Sequence, residues 1–299
     1  MADYVMKTPA KPAARKGGAR KVNFHLVSDA TGDTLEQVAK AALAQFPDIE
    51  PVKHMWPMIR TSRHMERLLP EFKEVPGIIM FTLVNPEIEE VLVNACQENN
   101  WPYISVMQGI IRQLGHHLGV KSIARPGLQH EMNEEYFERI DAIHYTLAHD
   151  DGQMSEGLAE ADVILVGVSR TSKTPTCIYL ANRGLKAANV PIVPGCPLPP
   201  DLEKNRHKFI VGLVNSADRL IQIRKNRLLS LKEDKETAYV DEDAVKEEVR
   251  MARRLFASYG WPIIDVTRRS IEETAVAVMN LKHKYDEEQA RRNGLKEHK

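Results

Sequence analysis

The chain has 299 residues, a hydrophobic fraction of 43%, and 41 Lys plus Arg balanced by 41 Asp plus Glu, for a formal net charge of +0 at pH 7. This length suits one large or two ordinary domains, and the balance leaves no global field to draw the chain to nucleic acid or anionic lipid. Cys96, Cys177 and Cys196 are widely spaced without a CxxC pair, which argues against a disulfide framework or zinc knuckle; no apolar run reaches the roughly 18–20 residues of a membrane span, so a reduced, cytoplasmic protein is expected.

Residues 1–21, MADYVMKTPAKPAARKGGARK, are rich in Ala, Pro, Gly and basic residues, with Asp3 the one acid. Such a segment buries too little apolar surface to order itself, and its prolines spoil the amphipathic helix of a transit peptide. A basic, disordered tail is expected.

VNFHLVSD (22–29) has the length and β-branched content of a buried strand, and DTLEQVAKAALAQF places Leu35, Val38, Ala39, Ala42, Leu43 and Phe46 on one helical face. Asp33 is the expected N-cap, with Glu36 completing a capping box. VKHMWPMI reads as a weaker strand, SRHMERLLPEF as a short helix and GIIMFTLV (77–84) as a strong strand. NPEIEEVLVNACQEN follows as a helix with Asn85 as cap and Pro86 in the first position. PYISVM and QGIIRQLGHHLG supply one more strand and helix. Strands alternating with helices predict a doubly wound, mostly parallel sheet.

Periodicity fades over 120–152, where a Pro-Gly turn, one helix and an Asp-Asp-Gly ending mark a junction. Beyond it come DVILVGV, a helix from about Pro175, VPIV, FIVGLV, and SADRLIQIRKNRLLS capped by Ser216. DEDAVKEEVRMARRLFASYG has acids early, Arg late and Gly260 at its stop. WPIIDVT is a strand, and SIEETAVAVMNLKHK a helix with a Ser270/Glu273 capping box. The expected organisation is a tail (1–21), an N-terminal α/β domain (22–152), a nucleotide-binding α/β domain (153–285) and a charged C-terminal tail (286–299).

The chemistry-bearing stretch is ADVILVGVSRTSKTPTCIYLANRG (161–184). Gly167, Val168, Ser169, Arg170, Thr171, Ser172, Lys173 and Thr174 match G-x-x-x-x-G-K-[ST] except that Ser172 replaces the second glycine. The physical requirement is for backbone N–H groups converging on phosphate oxygens at a helix start, with Lys173 neutralising charge and the Thr174 hydroxyl holding Mg²⁺. An apolar strand precedes the loop, and Pro175, which lacks an N–H, belongs in the first turn of a following helix. Arg170 could clamp a phosphate or be a solvated loop residue; the competing explanation of the whole stretch is a Ser/Thr-rich connection with a chance Lys-Thr.

GVSRTSKTPTCIYLANRGLKAANVPIVPG closely resembles the signature of the bacterial pyruvate, phosphate dikinase regulatory proteins, in which the serine variant of the loop and the following KTPT are usual. HLVSDATGDTLEQVAKAALAQFP (25–47), HYTLAHDDG (144–152) and WPIIDVTRRSIEETA (261–275) extend the resemblance from residue 22 to about 283. Cys177 stands where Ser is common. The sister group acting on phosphoenolpyruvate synthase tends to carry Cys-Gly where this loop has Thr171-Ser172, which favours the dikinase as target.

The resemblance implies a bifunctional enzyme with a P-loop kinase-like second domain. It would transfer a phosphoryl group from ADP to a threonine of a dikinase whose neighbouring histidine is phosphorylated, releasing AMP and switching the target off, and would remove it with inorganic phosphate, releasing pyrophosphate. Lys173 would stabilise charge, Thr174 would ligate a divalent cation, and a carboxylate would serve as base or stand behind the metal. Asp29 and Asp265 lie at the carboxyl ends of expected strands, where such sheets bind ligands; Asp150 and Asp151 lie in the junction, and all four also suit turns or caps. His116-His117 and His144/His149 lack metal-pair spacing, so no structural metal is expected. The alternatives are the same chemistry on phosphoenolpyruvate synthase, or an ADP-sensing module without turnover. No nucleic-acid or membrane partner is expected; a homodimer is the general default among oligomers.

Overall fold

A computed structural model describes residues 19–128, 134–151, 157–230 and 239–294. Most of the N-terminal tail and the last five residues therefore lie outside the described residues. The chain divides into two compact units, Met1–Glu131 and Met132–Lys299.

In the first unit, β1 (Arg20–Ser28), β2 (Ile49–Trp56), β3 (Ile78–Thr82) and β4 (Tyr103–Ser105) form a parallel sheet in the order β2-β1-β3-β4. Between them run α1 (Asp33–Leu43), α2 (Ser62–Glu74) and α3 (Pro86–Asn99), and α4 (Gln108–Leu118) follows β4. A sheet covered on both faces needs strands buried on both sides, and β1 is buried from Phe24 to Ser28. Phe24 and Leu26 pack with Leu35 and Ala39 of α1, while Val27 meets Met65, Phe72 and Leu92 from α2 and α3.

The second unit opens with α5 (Glu134–Ala148), followed by a 3-10 turn at Leu158–Glu160. β5 (Val163–Gly167), β6 (Ala187–Pro191), β7 (Ile210–Val214) and β8 (Ile263–Asp265) then form a parallel sheet ordered β6-β5-β7-β8. The helices are α6 (Lys173–Ala181), α7 (Pro200–Lys204), α8 (Ala217–Ser230), α9 (Glu242–Tyr259) and α10 (Ile271–Gly294). Val163 and Leu165 face Leu180 of α6 and Val278 of α10; Ile164 and Val166 face Leu220 of α8 and Phe256 of α9. Gly212 allows that approach, since a Cβ there would lie 2.3 Å from the Phe256 ring.

The two sheets share one strand order. In each, the second strand lies on one side of the first and the third on the other, so a crevice opens at the carboxyl ends of the first and third strands.

Several expected boundaries move. The N-cap of α1 is Gly32 at φ 92°, without a side-chain cap, and Asp33 is instead the first helical residue, accepting from Thr31 Oγ1 at 3.0 Å. α5 belongs to the second unit rather than to an N-terminal domain ending at 152: Thr146 Oγ1 accepts from Ala187 N at 3.1 Å, and Lys186 pairs with Asp141 at 2.6 Å. β6 begins at Ala187, before the VPIV segment, and α6 begins at Lys173 with Pro175 third, where its missing N–H is still one no helix turn would use. α10 continues to Gly294, through much of the expected C-terminal tail. α7 was without a sequence signal strong enough to predict it.

Candidate functional site

The loop from Gly167 to Thr174 sits at the crevice of the second sheet, between the end of β5 and the start of α6. Gly167 is required by close approach: a Cβ there would lie 2.6 Å from Leu213 O and 2.8 Å from Thr171 Oγ1. Arg170 (φ 71°) and Ser172 (φ 60°) both adopt the left-handed conformation, which costs a non-glycine residue roughly 1–2 kcal/mol. Ser172 thus takes the backbone shape that a glycine usually supplies, and it serves as N-cap of α6.

Side chains brace the loop from within. Thr171, fully buried, donates through Oγ1 to Val168 O at 3.0 Å, and Lys173 Nζ donates to the same carbonyl at 3.0 Å. Lys173 is 5% exposed. Burial pulls its pKa down to about 8, against the opposing pull of Asp151, Cys177, Asp150 and Glu248. Below that pH the loop holds a cation ready for an anion, with little water to screen it.

At the loop's mouth, Thr174 Oγ1 donates to Asp150 Oδ1 at 2.9 Å. Asn189 on β6 donates through Nδ2 to Asp150 Oδ1 at 2.6 Å, Asp151 Oδ1 at 3.2 Å and Thr174 Oγ1 at 2.9 Å. Asn189 is 1% exposed, and its Oδ1 has no partner among the described residues. A cavity of about 300 Å³ opens here, lined by Asp151, Ser169, Arg170, Ser172, Lys173 and Thr174 among others. Asp151 reaches this cavity, and Asp150 reaches Thr174 beside it, because α5 docks on β6, where Asn189 N donates to His149 O at 3.0 Å.

The other two carboxylates stand elsewhere. Asp265 Oδ1 accepts from Thr267 N at 3.0 Å and Thr267 Oγ1 at 2.5 Å, and Oδ2 pairs with Arg253 at 2.8 Å. Although partial burial opposes it, these partners hold its pKa below the usual carboxylate value. Asp29 lies in the first unit, where Oδ2 accepts from Val84 N at 2.7 Å and burial raises its pKa. It lines a cavity of about 250 Å³ made of first-unit residues, among them Ser28, Thr82 and Arg125.

Asn189 lies one residue before the expected VPIV strand and is not among the expected site residues. Its signal was a lone Asn in the apolar run AANVPIV, because Asn is depleted in strands. Among the described residues, no cluster of three or more His, Cys, Asp and Glu gathers to hold a metal, and no helix is long and apolar enough to cross a membrane.

Residues 24–279 match the kinase/pyrophosphorylase family. The chain belongs to that family. A Caulobacter vibrioides protein is 52% identical over 259 residues, covering 87% of this chain and 82% of its own. One from Rhizorhabdus wittichii is 53% identical over 261 residues, 87% of this chain and 95% of its own. One from Erythrobacter litoralis is 52% identical over 262 residues, 88% of this chain and 94% of its own. All three carry the name "Putative pyruvate, phosphate dikinase regulatory protein". As a kinase/pyrophosphorylase the chain is assigned to phosphotransferase chemistry, and the loop offers groups that moving a phosphoryl group uses: a buried cation, a helix start and adjacent carboxylates.

Proposed function

We propose that this protein regulates pyruvate, phosphate dikinase: it phosphorylates a threonine of the dikinase with ADP as donor, and removes that phosphate with inorganic phosphate as acceptor. The observation that carries the proposal is the meeting of Lys173, Thr174 and Asp151 around one cavity at the mouth of the 167–174 loop, with Asp150 hydrogen-bonded to Thr174 beside it. Membership in the kinase/pyrophosphorylase family and the names of the relatives support it.

In the forward direction the threonine oxygen attacks the β-phosphorus of ADP. The bond from that phosphorus to the bridging oxygen breaks, AMP leaves, and the hydroxyl proton passes to a base. Asp151, which lines the cavity while Asp150 accepts from Thr174 and Asn189, is assigned as that base. In reverse, an oxygen of inorganic phosphate attacks the phosphothreonine phosphorus. The bond from that phosphorus to the threonine oxygen breaks, pyrophosphate departs, and Asp151 passes the proton taken from the attacking hydrogen phosphate to the threonine oxygen. Lys173 offsets the negative charge on the transferred group, and Arg170 at the rim is placed to hold an outer phosphate oxygen.

The oxygens at the mouth fit a hard divalent cation such as Mg²⁺: the Asp150 and Asp151 carboxylates, gathered by Asn189 Nδ2, and the Thr174 hydroxyl. Thr174 and Asp150 would hold it, and it would supply charge neutralisation on the phosphates.

The test is transfer from ADP labelled at its β-phosphate to purified dikinase whose neighbouring histidine is phosphorylated. Phosphothreonine should appear only with ADP and should be lost on adding phosphate, with pyrophosphate formed. Lys173→Ala should abolish transfer; near-normal turnover in that variant would refute the assignment. Label appearing only on phosphoenolpyruvate synthase would move the target, and ADP binding without transfer to either would leave a sensing module.

A further inference from the structure

A charged side chain sits beneath the loop where a hydrophobic one would be expected. Arg224 of α8 is 1% exposed, on the face that also buries Leu220. Removing a guanidinium from water costs several kcal/mol unless it is fully paired, and here the pairing is nearly complete. Nη1 and Nη2 donate to Glu248 Oε2 and Oε1 of α9 at 2.7 and 3.0 Å, a two-pronged contact. Nη2 and Nη1 also donate to two backbone carbonyls, Ser169 O at 3.1 Å and Tyr239 O at 3.2 Å, and Nε alone has no partner among the described residues. The Tyr239 ring also lies over the guanidinium, 4.6 Å from its carbon.

The contact with Ser169 O has a directional consequence. In a planar trans peptide the carbonyl of one residue and the N–H of the next point opposite ways. Drawing the Ser169 carbonyl onto Arg224 therefore turns the Arg170 N–H away from α8, on a stretch where Ser169 and Arg170 both line the cavity. Tyr239 completes the brace: its Oη shares a hydrogen bond with Ser169 Oγ at 3.2 Å and accepts from Arg170 Nε at 3.3 Å. Arg170 is also the residue at φ 71°, a conformation that persists only when its surroundings impose it.

We infer that Arg224, clamped by Glu248, is a positioning residue that aims the backbone of the 167–174 loop at a bound phosphate, and that Tyr239 is the arm that fixes Arg170 at its rim. This rests on the reading that the loop takes nucleotide phosphates. Arg224 itself touches no substrate and acts through Ser169 and Tyr239. Lysine cannot replace it, because an ammonium lacks the planar fork that spans Glu248 and the Ser169 carbonyl at once.

The test measures dissociation constants of ADP and of inorganic pyrophosphate by calorimetry, with melting temperatures and kcat and KM, for the natural protein, Tyr239→Phe and Arg224→Lys. Tyr239→Phe removes one hydroxyl and keeps the ring over the guanidinium. It should weaken both ligands about fivefold or more at unchanged melting temperature, and Arg170→Ala should cost less in that background than alone. Arg224→Lys should weaken both ligands about tenfold or more, with a raised KM. If Arg224→Lys fails to fold, Tyr239→Phe decides the matter. Variants that bind both ligands as tightly as the natural protein would overturn the positioning role and leave the functional reading intact. A natural protein that binds neither ligand would overturn both.

Discussion

With 5% of its surface exposed and its Nζ on the Val168 carbonyl, Lys173 keeps its charge against a desolvation cost that lowers its pKa from 10.5 to about 8. Below pH 8 both the folded and unfolded chains hold the proton, and the folded one bears the full cost. Between about 8 and 10.5 the folded chain releases a proton that the unfolded chain keeps, so stability rises with pH across that window. Lys173→Met should therefore stabilise the free protein at pH 7 by up to about 3 kcal/mol, because Thr171 still serves the Val168 carbonyl. Activity should run the other way: kcat/KM for ADP should be level below pH 8 and fall above it, since this parameter reports the free enzyme. A profile flat to pH 9.5 would remove Lys173 from the charge-bearing role. At Ser172 the left-handed backbone is a strain that glycine escapes. Ser172→Gly is expected to raise stability by about 1 kcal/mol, read as a higher midpoint in urea with the binding of ADP retained.

Among the elements, the capped helices are those the sequence located best. Asn85 caps α3 through Glu87 N at 2.9 Å, and Asp241 caps α9 through Ala244 N at 2.8 Å. Ser270 and Glu273 form the reciprocal box at α10, with contacts of 3.1 and 2.8 Å. These signals are legible because cap and partner are three residues apart or fewer. Ser270→Ala is expected to cost about 1 kcal/mol of stability, measurable by denaturant unfolding; an unchanged midpoint would show that packing of Ala275 and Val278 alone holds α10 in place. The α1 start lies one residue from the expected one for a backbone reason. Gly32 takes a left-handed turn at φ 92°, a conformation glycine adopts without strain, and Asp33 is carried into the helix.

Across the whole molecule, the two units repeat one strand order, although the sequence shows no repeat at a solenoid period. Strand order depends on which side each crossover takes, and apolar periodicity does not record that. The same limit explains the domain boundary. Fading periodicity over 120–152 marked a junction, but α5 within it was placed by hydrogen bonds to β6, some forty residues further along the chain. That docking is also what delivers Asp150 and Asp151 to the loop, while Asp265, equally placed at a strand's end, is taken up by Arg253 and Thr267.

The amino-acid sequence by itself determined the alternation of strands and helices, most of the capped helix starts and the strand–loop–helix setting of residues 167–174. Each is written in residues a few positions apart, where periodicity, caps and backbone preference act locally. Only the tertiary structure decided which carboxylates stand beside Lys173, that Asn189 joins them, and that Arg224 and Tyr239 brace the loop from helices and segments far along the chain. Those choices depend on how sheet order and helix docking fold distant residues onto one crevice, and burial then sets their charge and partners.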